Sequence, residues 1–408
     1  MIRRLKYEIC SFRTCSGDVK MDIAITDDLQ EQASIGKAIM ESRPEVYTTE
    51  IMDDIYGIIR SYGVPDGLSE DETFYITLYN YWRYGFVTKE VFFFDLFHKK
   101  HDEKETYVSN MNKLNYTRHL NKREKEYLLA DKYETYQILK EFYGRELIKV
   151  SQKPRNDERG DYSIDGSDQF RDFFGRHSEF VVKPIGLATS IGVRKCMASD
   201  YGNDSDLALK TLLKETADIQ SRYRWARGSG IIAEELIRQG EALACLHPAS
   251  VNSIRITTVR TDDGIHFFYP VIRIGKGGNF LCSRSSGSIV AGIDPETGKV
   301  LTDGYTDKNE YYVCHPDTGI RIKGFRVPKW REVCSLAVEA AMRFEDLGYI
   351  GWDFAYTDDE KWIIVEGNEN AGFVGQVAYQ KGLLKEFTDL IQWKSDKKYW
   401  WIGYYPEK

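Results

Sequence analysis

The segment YIGWDFAYTDDEKWIIVEGN, which begins at Tyr349, contains two strand-like runs separated by a polar turn, and this pattern predicts a β-hairpin. If the turn is centred just after Asp359, the side chains of Asp353 and Glu366 lie opposite each other across the hairpin. Asn368 points to the same face if the extended conformation continues. The sequence therefore predicts that two carboxylates and an amide share one face of a sheet.

Two like charges directly opposed on a half-buried sheet destabilise it, so a compensating group is expected. Oxygen atoms of Asp, Glu and Asn are ligands that Mg²⁺ prefers, and Asp353, Glu366 and Asn368 are therefore candidate magnesium ligands. The alternative is that each carboxylate is an edge residue paired with a Lys or Arg, and the hairpin alone does not separate the two interpretations. If the carboxylates repel each other, removing one charge should stabilise the protein without metal.

A second informative segment, Glu179 to Lys195, is predicted to be a strand, a loop of small residues and a returning strand. Small residues such as Gly186 and Ser190 allow backbone N–H groups to approach an anion closely, and Lys183 places a positive charge at the end of the strand. The alternative is an ordinary hairpin turn. The segment carries neither the GxxxxGK[ST] phosphate loop nor a strand-to-helix GxGxxG pattern.

A third segment, IIAEELIRQGE from Ile231 to Glu241, predicts an apolar strand that runs into an acidic hinge. An extended hinge offers a carbonyl and an N–H group to an adenine edge, and an acid a few residues later accepts hydrogen bonds from ribose hydroxyls. Taken alone, this segment is weak support for a nucleotide site.

The order of these three segments resembles the ATP-grasp superfamily. The likeness extends to HPASVNSIRITTV from His247, HPDTG from His315 and VPKW from Val327, which resemble the sugar-transfer-associated branch of ATP-grasp enzymes. The resemblance covers roughly Tyr81 to Leu384. It implies an α+β chain with the ATP-grasp fold, in which two α+β subdomains clasp ATP, and with ATP and Mg²⁺ as cofactors.

The resemblance also assigns roles to individual residues. The implied nucleotide-binding residues, from phosphate to adenine and ribose, are Lys132, Lys183, Ser190, Glu234, Glu235, Leu236, Ile237 and Glu241. The implied metal ligands are Asp353, Glu366 and Asn368, in agreement with the hairpin. Arg255 and Arg273, together with Lys183, are the catalytic candidates, because a guanidinium group matches phosphate or carboxylate in bidentate fashion. For the arginines the alternative is an ordinary cross-strand ion pair.

Two histidines, His247 and His315, each precede a proline, which favours extended or turn geometry. Either histidine could accept a proton from an attacking amine. A histidine held in a turn by hydrogen bonds is at least as good an interpretation, and the sequence leaves this choice open.

The organisation along the chain follows from changes in pattern. Residues 1–130 are predicted to be mostly helical, 131–240 to form the subdomain with the phosphate loop and hinge, and 241–408 to form the subdomain with the magnesium site. Within the second region, Ser151 to Gly166 is polar with almost no apolar residue, and we expect it to be a linker or exposed loop.

Composition restricts the partners. Fifty-six Lys and Arg residues against sixty-three Asp and Glu residues give a net charge of −7, which argues against a dedicated nucleic-acid binder. No apolar run is long enough for a membrane span. Seven scattered cysteines without a CxxC pair, and a start without a secretory signal, predict a reduced protein in the cytoplasm and make a zinc site improbable.

The combined interpretation is an ATP- and magnesium-dependent ligase that joins a carboxylate to an amine through an acyl phosphate. The family context suggests a role in polysaccharide biosynthesis, with a uronic acid sugar and an amino acid as candidate small-molecule substrates. One alternative is a phosphotransferase that acts on a hydroxyl group. A second alternative is a non-catalytic module that binds nucleotide or glycan.

Overall fold

The computed structural model describes residues 23–154, 162–187, 191–223, 229–278 and 287–393. The described chain begins with helices and continues with two antiparallel sheets. The helices before the first strand are α1 (Leu29–Glu41), α2 (Thr49–Tyr62), α3 (Glu70–Tyr84), α4 (Thr88–Phe93), α5 (His101–Lys104), α6 (Asn110–Leu120), α7 (Tyr127–Ala130) and α8 (Lys132–Tyr143). The predicted helical N-terminal region is confirmed. Ile51, Ile55 and Ile59 form the buried stripe of α2.

The first sheet has five strands in the order β2-β1-β5-β3-β4. Its elements are β1 (Leu147–Pro154), β2 (Tyr162–Asp165), α9 (Ser167–Arg176), β3 (Glu179–Pro184), β4 (Arg194–Met197), α10 (Ser205–Ser221) and β5 (Gly230–Glu235). Helices α9 and α10 contribute Phe170, Phe173 and Leu212 to a fully buried core beneath the sheet. Because β5 is the central strand, both of its edges are occupied by neighbouring strands.

The second sheet has eight strands, in the order β11-β10-β9-β8-β6-β12-β13 with β7 paired to β6. Its elements are α11 (Glu241–Ala244), β6 (Ser253–Thr261), β7 (Gly264–Phe267), β8 (Val271–Ile274), β9 (Ile289–Gly292), β10 (Gly304–Tyr305), β11 (Tyr311–Tyr312), α12 (Trp330–Met342), β12 (Tyr349–Tyr356), β13 (Trp362–Asn368), α13 (Gly375–Ala378) and α14 (Leu384–Leu390).

The faces of the second sheet have different neighbours. Ile254, Ile272 and Trp352 belong to a core that also includes α12, whereas Val271 and Val290 belong to the core of the N-terminal helices. Successive residues of a strand point to opposite faces, so the helices cover part of the face that also carries Arg255, Arg273 and Asp353. The N-terminal helices therefore form one packed unit with the second sheet.

The hairpin β12–β13 has a register that the turn alone does not explain. Phe354 pairs with Ile364, and Asp353 pairs with Glu366, so Val365 is an extra residue at a β-bulge. Asp353 and Glu366 do lie opposite each other, as the sequence predicts. They do so because of the bulge, since an uninterrupted ladder from the turn would place Asp353 opposite Val365.

The expectation of a loop over Ser151 to Gly166 is wrong for the described part of that segment. Ser151 pairs with Asp165, and Pro154 pairs with Tyr162, as the last strand pair of the first sheet. Strand β2 lies at the edge of the sheet, where polar residues are tolerated because one side needs no partner, and Pro154 lies at the end of β1 beyond the residues that pair with β5. The polar composition thus indicated an edge strand.

In the described part of the chain, no helix combines the length and the apolar character that crossing a membrane requires.

Candidate functional site

The Asp353 carboxylate is held by two guanidinium groups. Arg255, its register partner on β6, donates from Nε to Oδ1 at 2.7 Å and from Nη2 to Oδ2 at 2.8 Å. Nη1 of Arg273 donates to the same two oxygens at 3.1 and 3.2 Å. The Asp353 side chain is 6% exposed, so both arginines neutralise a buried charge. The two arginines thereby offset direct repulsion between Asp353 and Glu366, and we expect removal of the Asp353 charge to destabilise the ligand-free protein.

Glu366 has a different partner, Lys132, whose Nζ atom donates to Oε2 at 2.6 Å. Lys132 is the first residue of α8, where Asp131 accepts a hydrogen bond from the Tyr133 N–H group as the helix cap. Displacement of water raises the pKa of Glu366, but the charge and hydrogen bond of Lys132 outweigh this effect and hold the pKa well below its ordinary value. Nδ2 of Asn368 donates to Glu366 Oε1 at 3.3 Å, which places the amide on the same face.

The first sheet contributes Lys183 from β3 and Glu234 from β5, which form an ion pair. Both side chains are largely buried. Burial lowers the pKa of Lys183, Glu234 raises it, and the positive charge of Lys132 lowers it again. The two lysines are therefore close enough to repel each other, which is the arrangement that a bound polyanion relieves.

Arg145 is a member of this cluster that the sequence analysis missed. Its Nη2 atom donates to Glu234 Oε2 at 3.0 Å and to the Val365 carbonyl at 3.2 Å, and Nη1 donates to the Ile364 carbonyl at 2.7 Å. Arg145 thus joins the first sheet to the bulge of the second. Nothing in the local sequence pattern distinguishes this arginine, because the partners that place it in the cluster, Glu234, Ile364 and Val365, are 89 or more residues away.

Together these groups form a charge cluster, which we define as Lys132, Arg145, Lys183, Glu234, Arg255, Arg273, Asp353 and Glu366. Its members come from both sheets and from the start and end of α8. Among the described residues of the cluster, five cations face three carboxylates. The excess of two positive charges in a partly water-excluded space favours an anionic ligand.

The predicted nucleotide-binding hinge follows β5. Glu234 pairs with Leu147 and Val181 inside the sheet, and the adenine contact predicted for its backbone and for that of Ile237 stays a prediction. Leu236 and Ile237 are half-buried and lie beyond the strand. The predicted ribose ligand Glu241 is exposed at the start of α11.

The hinge is held against the second sheet. Gly240 donates its N–H to the Tyr356 carbonyl at 2.8 Å, and Gln239 forms a bridge with Thr357. Glu235 donates its own N–H to the Glu146 carbonyl at 3.0 Å.

The small-residue loop joins β3 to β4 as predicted. Gly186 and Gly192 both have φ of 71°, a left-handed conformation that favours glycine. Ser190 lies outside the described residues. Nε2 of Gln220 donates to the Ile185 carbonyl at 2.6 Å, which fixes the start of the loop against α10.

The two histidines, His247 and His315, lie against Gly275 at the end of β8. Nε2 of His315 is 2.7 Å from the Gly275 carbonyl, to which it donates, whereas neither ring nitrogen of the buried His247 makes a hydrogen bond with the described residues. Gly275 follows Arg273 by two residues at the end of β8. The histidines therefore neighbour the charge cluster without belonging to it.

The oxygen atoms present fit a hard divalent cation at Glu366 and Asn368. Glu366 is held ionised, and the hydrogen bonds donated by Asn368 Nδ2 leave its carbonyl oxygen as a ligand atom. Asp353 is different, because its four hydrogen bonds from Arg255 and Arg273 occupy both carboxylate oxygens. Asp353 can act as a metal ligand only if Arg273 releases it.

A family model described as sugar-transfer associated ATP-grasp matches residues 111–392 of the chain. The search of curated proteins found no match to the chain. Similar solved structures include the ATP-grasp ligase PsnB complexed with a minimal precursor, with 13% identity over 67% of this chain and 64% of that chain and a TM-score of 0.38.

Two further similar structures are ligases or synthetases. The D-alanine-D-alanine ligase from Coxiella burnetii is 14% identical over 65% of this chain and 61% of that chain, with a TM-score of 0.32. The D-cycloserine synthetase DcsG is 14% identical over 64% of this chain and 71% of that chain, with a TM-score of 0.34. The chain spans less than two thirds of the length of PsnB and of the Coxiella ligase. The family model matches more than half of the chain, and the assignment of the chain to a family rests on this match alone.

Proposed function

The chain belongs to the sugar-transfer associated ATP-grasp family, and from this premise we propose that it is an ATP- and magnesium-dependent ligase that joins a carboxylate to an amine. The observation that carries the proposal is the charge cluster between the two sheets, with its excess of two positive charges. A triphosphate is the anion that the family name indicates.

Lys132 and Lys183 bind the phosphates in this proposal. Each lysine is paired with a carboxylate in the ligand-free protein, and a phosphate oxygen replaces Glu366 as the partner of Lys132. Glu366 and Asn368 then hold Mg²⁺, and Leu236 and Ile237 border the adenine. Bound Mg²⁺ neutralises phosphate charge.

Arg255 and Arg273 are proposed to hold the reacting groups. Release of Arg273 from Asp353 frees one guanidinium fork for the substrate carboxylate or the transferred phosphoryl group, while Arg255 keeps its bidentate bond to Asp353. An oxygen of the substrate carboxylate attacks the γ-phosphorus, ADP leaves, and the amine nitrogen then displaces phosphate from the acyl phosphate. The protein contributes position and charge, and no covalent bond to the chain is needed.

The substrates proposed from the family name are a uronic acid sugar and an amino acid, in modification of a polysaccharide or its precursor, in the cytoplasm. The test is a screen of carboxylate and amine pairs for ADP release, followed by mass spectrometry of the product. The expected product has the mass of the two substrates minus water, and its formation requires both of them.

The test variant is Glu366→Gln, which keeps the side-chain volume and removes the charge, and its matched control is Glu360→Gln. The test variant should abolish ADP formation, whereas Glu360→Gln in the exposed hairpin turn should not. A stable phosphorylated product that forms without any amine would instead establish a phosphotransferase. Nucleotide binding without turnover of any pair would favour a binding module.

A further inference from the structure

We propose that His247, His315 and Asp317 form a binding site for one divalent transition metal ion of the zinc class, separate from the proposed magnesium ligands. One ligand atom from each of these three residues lies within 4.8 Å of the other two. The donor set of two imidazoles and one carboxylate is typical of zinc and related metals, whereas magnesium prefers oxygen atoms alone.

The hydrogen bonding of His315 prepares one ligand atom. Its Nε2 atom donates to the Gly275 carbonyl at 2.7 Å, so the proton is on Nε2 and the lone pair is on Nδ1. A metal-bound histidine usually makes this kind of bond with its other nitrogen, because it fixes the tautomer and the orientation of the ring. Nδ1 faces the chain turn that carries Asp317 and accepts a hydrogen bond from the Asp317 N–H group at 3.3 Å, which a bound metal ion would displace.

His247 supplies the second, independent observation. Only 2% of the residue is exposed, and neither of its ring nitrogens makes a hydrogen bond with the described residues. Leaving a buried polar ring without a partner costs free energy, so an unfilled ligand position is expected at this ring. Its Nδ1 atom lies 3.4 Å from Asp317 Oδ2, which directs the ring towards the third ligand.

The backbone provides a close-fitting wall for the site. A Cβ atom on Gly275 would lie 2.5 Å from Cδ2 of His247 and 2.0 Å from Oγ of Ser250, so only glycine fits here. Asp317 is fixed from the other side, because Gly277 donates its N–H to Oδ2 at 2.7 Å. These contacts from the loop after β8 constrain the His247 ring and one carboxylate oxygen of Asp317.

The geometry requires a small adjustment. Ligand atoms around a tetrahedral zinc ion are about 3.4 Å apart, so a pair at the 4.8 Å limit must approach by about 1.4 Å. Asp317 is the exposed member of the set, and rotation of its side chain makes this movement at the cost of the hydrogen bond from the Gly277 N–H group. Three protein ligands leave at least one position for water or for a substrate oxygen. None of the seven cysteines is used, so the argument against a thiolate zinc site is unaffected.

The test uses Co²⁺ as the probe, because its visible absorption reports nitrogen ligands and low coordination number. Full-length protein is dialysed against a chelator, titrated with Co²⁺ and then with Zn²⁺. We expect one Co²⁺ per chain with visible absorption bands that Zn²⁺ removes. His247→Ala and His315→Ala should weaken Co²⁺ binding by at least about tenfold.

Three further variants separate this site from others. Asp317→Asn, at an exposed position, should weaken binding even if the histidine variants do not fold. His266→Ala, which removes a surface histidine paired with Asp263, should bind as the unmodified protein does. Glu366→Gln should keep the bands, so failure of the proposed ligase function would not affect this result. Absence of bands, or equal binding by Asp317→Asn and the unmodified protein, would overturn the proposal.

Discussion

Replacing Asp353 by Asn tests whether the buried carboxylate is compensated by arginine in the ligand-free protein. The exposed fraction of the side chain is 6% for Asp353, 7% for Arg255 and 14% for Arg273. Removing one partner of a buried ion pair costs about 3–5 kcal/mol, because it leaves the remaining charge buried and uncompensated. Since Asn keeps the shape and one acceptor oxygen, we expect a loss near the lower limit, about 3 kcal/mol.

The assay is urea denaturation, followed by tryptophan fluorescence and by circular dichroism, whose transitions must coincide for a free energy to be defined. The matched control is Asp359→Asn in the turn of the same hairpin, where the exposed Asp359 pairs with Lys361. This control should unfold at the same urea concentration as the unmodified protein. If Asp353→Asn were as stable as the unmodified protein, or more stable, the compensation argument would be refuted, and repulsion between Asp353 and Glu366 would dominate.

For three other substitutions the direction of the change in stability can also be predicted. Burial lowers the pKa of Lys104 to about 8 from 10.5, so Lys104→Met should stabilise the protein by about 3 kcal/mol at pH 7, and the gain in urea midpoint should shrink as pH rises from 8 to 10.5. The folded-state pKa of Glu366 is lowered by Lys132, so the stability lost in Glu366→Gln should be full above pH 4.5 and should decrease as pH falls below it in an acid titration. Gly275→Ala would place a Cβ atom 2.5 Å from Cδ2 of the buried His247. It should lower the free energy of unfolding by about 1–3 kcal/mol, measured as a lower thermal midpoint. Gly278→Ala, whose Cβ atom would contact nothing within 4 Å, should leave the midpoint unchanged.

The hairpin could be predicted because its information is local. Alternating apolar residues and a polar turn were enough to predict the two strands and the shared face of the two acids, whereas the pairing of Asp353 with Glu366 also requires the bulge. The bulge at Val365 could not be predicted, because it depends on Arg145, whose guanidinium group donates to the carbonyls of Ile364 and Val365. Such a contact joins residues that are more than two hundred positions apart.

The ion-pair partners of the charged residues could not be predicted from the sequence either. No local sequence feature pairs Lys132, at the start of a helix, with Glu366 in a strand. The same holds for Lys183 and Glu234, which are in two strands of the first sheet. The polar segment from Ser151 was misread for a related reason. Edge strands and loops share a polar composition, and only the neighbouring strand distinguishes them.

The packing of the N-terminal helices on the second sheet is a third feature of this kind. The helical periodicity of Ile51, Ile55 and Ile59 predicts an apolar face but does not identify what covers it. In the structure this core includes Val271 and Val290 of the second sheet, on the face that carries the charge cluster. The helical region thus borders the proposed substrate site, although residues 23–110 precede the span that the family model matches.

The central claim is that the charge cluster binds the phosphates of ATP, and a crystal structure with Mg²⁺ and a non-hydrolysable ATP analogue tests it directly. The account predicts that the Nζ atoms of Lys132 and Lys183 contact phosphate oxygens and that a cation lies at Glu366 and Asn368. It also predicts that the 2.6 Å bond between Lys132 and Glu366 is broken in the complex. Nucleotide bound away from both lysines, or bound while Lys132 still pairs with Glu366, would contradict the account.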